Sequence, residues 1–101
     1  MRGSIRASVL EYGETQAIGG ALLVRPSSRI LEAKYNNSET ILKLEEIKGF
    51  NIGDYCRIDF KLDNGIEHAF FRVTAINETN NTVTVEGNAS TAQGQPVVNF
   101  G

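Results

Sequence analysis

The chain reads as all-β: a small antiparallel β-barrel or sandwich of six to eight short strands. Three observations say so. Tyr55 to Leu62 alternates apolar and polar side chains without a break, Asn64-Gly65 follows as a hairpin turn, and turn residues recur every ~8 to 12 residues along the chain.

The alternating segment sets the frame. Cys56, Ile58, Phe60 and Leu62 fall on one face and Arg57, Asp59 and Lys61 on the other, the period-two pattern of a half-buried strand. Asn64-Gly65 supplies the positive φ angles of a type I′ turn. The run from Glu67 to Ile76, rich in aromatic and β-branched residues, is the return strand, with Phe71, Val73 and Ala75 in one phase and Phe70, Arg72 and Thr74 in the other. A second turn at Glu78-Thr79-Asn80-Asn81 leads to a strand at Thr82–Glu86 with Val83 and Val85 inward. A small-residue loop, 87–95, precedes a last strand starting at Pro96, which need not donate to a ladder.

Upstream, Ile5 to Glu11 alternates weakly and reads as a strand, and Tyr12-Gly13-Glu14 as a turn. Ala21 to Arg25 is strand-like and ends at Pro26-Ser27-Ser28; Arg29 to Tyr35 fits strand or helix and closes at Asn36-Asn37-Ser38. Glu39 to Lys48 holds good helix formers behind a capping Ser38, but the surrounding hairpin signals favour a strand there. Gly53-Asp54 makes the corner before Tyr55, the glycine easing the backbone and the carboxylate capping the turn.

At 101 residues the chain is one domain in size. Met1-Arg2-Gly3-Ser4 reads as a vector-derived leader, which leaves 5–101 as a single β domain, one that could be excised from a longer chain. No apolar run approaches the ~20 residues of a membrane-spanning helix. The net charge is −2 with the signs interspersed, so no basic patch exists to hold a phosphate backbone and nucleic acid is not an expected partner.

The chemistry-bearing residues are few. His68 and Cys56 are the only histidine and cysteine, no ligand-type spacing connects them, and the alternation points them to opposite faces of the hairpin. With Asn64 and Gly65 as loop residues, Cys56 lies opposite Val73 and Lys61 opposite His68. Paired acids such as Glu45-Glu46 read as solvated charge. The sequons at Asn36, Asn77, Asn80 and Asn88 read as ordinary turn composition. These readings give no catalytic residues, no metal site and no cofactor. The aromatic residues offer the one candidate surface: Tyr55 and Phe70 each sit out of phase with the core face of their strand, on one side of the hairpin, where rings can stack on a sugar or pack on a neighbour.

Gly53-Asp54-Tyr55-Cys56-Arg57, Phe71-Arg72-Val73-Thr74-Ala75-Ile76, Val83-Thr84-Val85 and Pro96-Val97-Val98-Asn99-Phe100-Gly101 follow one another in an order that resembles a β domain of tail proteins in phages and prophages of Bacteroides-type bacteria. Ile5-Arg6-Ala7-Ser8 and Gly20-Ala21-Leu22-Leu23-Val24 are similar to segments that precede that domain. The resemblance implies a non-enzymatic structural module of a tail-tip or tail-fibre polypeptide, located in the virion tail and assembled in the bacterial cytoplasm. Its implied partners are flanking domains or other tail proteins, in a homotrimer when full-length. The alternative is a receptor- or glycan-binding module at the distal tail that reads a host surface glycan.

Overall fold

A computed structural model describes residues 13–18 and 21–101, with side chains from Val24 onward. The expected leader and the Ile5–Glu11 strand lie outside the described residues. The seven described strands are β1 (Gly13–Ile18), β2 (Ala21–Asn36), β3 (Glu39–Leu44), β4 (Tyr55–Leu62), β5 (Gly65–Asn77), β6 (Thr82–Glu86) and β7 (Pro96–Asn99). All pairings are antiparallel. The order β2-β3-β6-β5-β4-β7 returns to β2, which closes a six-stranded barrel, and β1 pairs outside it with the first part of β2. Closure removes most of the free edges that an open sheet of this size would present.

The alternation of apolar residues fixes which face turns inward. On β3, Thr40, Leu42 and Leu44 are buried while Glu39, Ile41 and Lys43 are exposed. With Ile30, Phe50, Cys56, Ile58, Val73, Val83, Val85 and Val97 these leucines form one core, and the 87–95 loop adds Ala89 and Ala92 to it. That loop is pinned by Thr40, fully buried, whose hydroxyl donates to the Gly87 carbonyl (2.7 Å) and accepts from the Ala89 N–H (2.8 Å). The Ala89 N–H would otherwise be buried without a partner.

Several sequence expectations are corrected. The chain does not stop at Pro26-Ser27-Ser28: β2 runs 16 residues through it. Its partner changes from β1 (up to Pro26) to β7 (Ser27–Arg29) and then to β3 (from Ile30), so the proline sits where one ladder hands over to the next. A bulge at Leu31 bends the strand at the second change. Gly13 and Glu14 belong to β1 and are not a turn. The strands are not uniformly short, since β5 also has 13 residues.

The β4–β5 hairpin forms as expected, but its loop is Asp63-Asn64, with Leu62 opposite Gly65. Neither loop residue has positive φ; Gly65 takes φ +146° just after the turn. The type I′ signature falls instead on Asn37 (φ +51°) and Ser38 (φ +72°), the loop between β2 and β3. Cys56 therefore faces Phe71 and Asp59 faces His68. The shift moves each partner by two positions, so the side chains paired between β4 and β5 keep their expected faces. Leu62, expected on the core face, is exposed because the hairpin extends past the core. Ala75 is also exposed: a bulge between Val73 and Ala75 reverses the alternation and lets Ile76 pack on the core.

Candidate outer-face site on the β4–β5 hairpin

The corner before β4 forms as its residues suggest. Gly53 has φ +95°, and the Asp54 carboxylate accepts from the Asn51 N–H (3.0 Å) and from Asn99 Nδ2 (2.8 Å). This fixes where β4 starts and hence which side chains alternate outward. Tyr55 (50 % exposed) and Phe70 (56 % exposed) both lie on the outer face, Tyr55 opposite Arg72 and Phe70 opposite Arg57.

Phe100 completes the cluster, and the sequence reading missed it because the residue looks like the end of an ordinary strand. Its ring lies 5.3 Å from that of Phe70, edge to face at 73°. Two guanidiniums cover it, Arg25 at 4.2 Å and Arg57 at 5.1 Å from the ring centre, the distances of cation–π contacts. Arg25 also donates to the Phe100 carbonyl (3.3 Å). The Arg57 guanidinium meets the Asp59 carboxylate through Nε (2.7 Å) and Nη2 (3.0 Å). His68 Nδ1 reaches the same carboxylate at 2.7 Å. Arg57 and Asp59 are two residues apart on one strand face and His68 is directly across from Asp59, so the ladder itself assembles the trio.

Cys56 and His68 point to opposite faces, as expected from the alternation. Cys56 is fully buried, and burial pushes its thiol up from an ordinary value of 9.0 to about 12. A buried, protonated thiol is a poor nucleophile. Thiol reagents at mildly alkaline pH should leave the folded chain unmodified and label one equivalent in strong denaturant; rapid labelling of the folded chain would contradict this burial. The same shift sets a pH dependence. The folded state holds the thiol proton more tightly than the unfolded state, so this group leaves stability unchanged below pH 9.0. Stability then falls by about 1.4 kcal/mol per pH unit until the pH reaches the folded value.

Among the described residues no group of three or more His, Cys, Asp or Glu side chains is placed to hold a metal ion. An open groove of about 750 Å³, lined by Phe50, Ile52, Ile76, Lys48 and Glu78 among others, shares no residue with the outer-face cluster. No helix among the described residues is long and apolar enough to cross a membrane.

The class defined by these features is a closed six-stranded antiparallel barrel with an arginine–aromatic cluster on one outer face. Comparisons with protein families, with curated proteins and with solved structures find nothing that matches the chain.

Proposed function

We propose that the chain is a non-enzymatic structural module that packs against neighbouring chains of an elongated assembly, of the phage-tail kind its sequence resembles. One observation carries the packing part of this reading. The β4–β5 hairpin continues beyond the core with Leu62 (48 %) and Ile66 (62 %) exposed at its tip and Tyr55 and Phe70 exposed further along. Apolar side chains exposed on a projecting tip, as Leu62 and Ile66 are here, are characteristic of surfaces that a partner covers, and Tyr55 and Phe70 add exposed rings to the wall behind it. The tail context rests on the sequence resemblance alone. Mass spectrometry of purified tail particles from the encoding strain tests it: the chain should be found in the particle fraction. Its recovery only in the soluble, particle-free fraction would refute the assignment.

The exposure of Tyr55 and Phe70 also suits the second reading, recognition of a surface glycan. Against it, the two rings in contact, Phe70 and Phe100, stand edge to face, and guanidiniums cover Phe100, whereas sugar stacking needs a flat open ring face. The Tyr55→Ala/Phe70→Ala double variant should stay folded, losing about 1–2 kcal/mol with the ring–ring contact. On a glycan array the native chain should show no signal that this variant abolishes. Such a signal, lost while folding is retained, would replace packing by glycan recognition.

A further inference from the structure

From the hydrogen-bonding pattern of β5 we infer that its outer edge, Gly65 to Phe71, is a docking strand that accepts an extended segment of a partner chain. The inference rests on the packing-module reading above and names the surface and the occupant.

In an antiparallel pair, alternate residues direct their backbone groups toward the partner strand and away from it. Val73 N–H donates to the Asp54 carbonyl (2.8 Å), while the Tyr55 carbonyl and N–H turn away from β5, to Phe100 N–H (2.8 Å) and the Gly101 carbonyl (3.2 Å). Carried along the register, this sends the N–H and C=O of Ile66, His68 and Phe70 away from β4. The β6 register begins only at Val73, so among the described residues no strand pairs with that edge. The opposite edge of the hairpin is treated differently. There β7 pairs with Cys56 to Ile58, and the outward N–H of Lys61 is capped by Gln95 Oε1 at 3.2 Å. Residues 65–71 contain no proline, no lysine and no bulge, three of the devices that keep an edge from pairing, and Glu67 is their one acidic side chain.

A row of unpaired donors and acceptors selects an extended backbone, because only a strand meets them in step. The flanking side chains select its composition. Phe70 lies on one face of the edge and Glu67 on the other. Arg72 lies beyond the edge, where the β6 register brings Glu86 across from it. Glu67 has no charged partner among the described residues. The matching segment therefore carries an apolar side chain against Phe70 and a cation on its other face against Glu67.

The test uses the full chain, labelled for amide NMR, and a capped synthetic peptide of sequence Val-Thr-Thr-Lys-Val, which meets Phe70 through Ile66 in antiparallel order. In the chain alone, the amides of Ile66, His68 and Phe70 should exchange fast while those of Glu67, Ala69 and Phe71 are protected. Peptide should protect the first set, and the charge-reversed peptide Val-Thr-Thr-Glu-Val should bind about fivefold more weakly. His68→Pro removes an outward N–H that the β4 ladder does not use, so it should keep the fold and lose the peptide. Phe70→Ala, which keeps every backbone group, should weaken binding without abolishing it. Three results would overturn the inference. These are protection of the three amides in the dilute chain alone, protection that grows with chain concentration (a second copy as occupant), and peptide binding unaffected by His68→Pro. A chain found in tail particles with an edge that takes no strand would leave the packing reading standing and remove this one.

Discussion

Ile58→Ala should destabilise the barrel by about 3 kcal/mol, a large share of the roughly 5–15 kcal/mol that holds a domain of this size together. Ile58 is fully buried at the middle of β4, with Ala69 of β5 opposite on one side and Val97 of β7 on the other. Truncation removes the hydrophobic transfer free energy of three carbons and leaves a void lined by three strands of a closed wall, which cannot collapse around it without breaking a ladder. Urea unfolding followed by tryptophan-independent circular dichroism should show the midpoint falling with little change in slope. A loss below about 1 kcal/mol would mean that Ile58 does not sit in a packed interior.

The second large effect is backbone and steric together. Gly49 has φ +90°, and a Cβ placed there would lie 2.5 Å from Cγ and 2.7 Å from Cβ of Pro26. The pyrrolidine ring cannot swing aside as a long side chain would. Its position is constrained by the handover of β2 from β1 to β7, and the Gly49 carbonyl is held by Asn99 Nδ2 at 2.7 Å. Gly49→Ala should therefore lose about 1–2 kcal/mol from the left-handed backbone and a further 1–3 kcal/mol or so from the overlap. Gly53→Ala is the matched control. Gly53 has a similar φ, +95°, but nothing lies within 4 Å of its would-be Cβ, so only the backbone part should appear in thermal unfolding. Equal losses at the two positions would show that the Pro26 contact is absent.

These two sites also mark what the sequence could and could not reveal. Ile58 was legible because its strand alternates cleanly, and the inward placing of Val83 and Val85 was legible for the same reason. The strand at Glu39–Leu44 could be read over a helix because its neighbours are hairpins. Pro26 misled, since a proline in a short window looks like a terminator, whereas here a long strand changes partners at that residue. The turn at 63–65 was placed one residue late because Asn-Gly fits a type I′ loop so well. The chain instead uses Asp63-Asn64 and spends the glycine just after them.

The outer-face cluster was half legible. Tyr55 and Phe70 were placed by alternation alone, and both are exposed on the expected side. Phe100 and Arg25 join the cluster because β7 pairs with both β4 and β2, which no local pattern encodes, and the Asp59–His68 contact was missed because the turn placed one residue late set Lys61 opposite His68. The open edge of β5 was likewise invisible, because it arises from a mismatch in length between β5 and β6.

Closure of the barrel through β2 and β7 is the claim on which the core, the cluster and the open edge of β5 depend. Cross-strand nuclear Overhauser effects between Ser27 and Val98 and between Ser28 and Val97 test it most directly. The account predicts both, together with contacts of Val97 to Ile58 on the other side of the same strand. Contacts from β7 to β4 with none to β2 would describe an open sheet and contradict it.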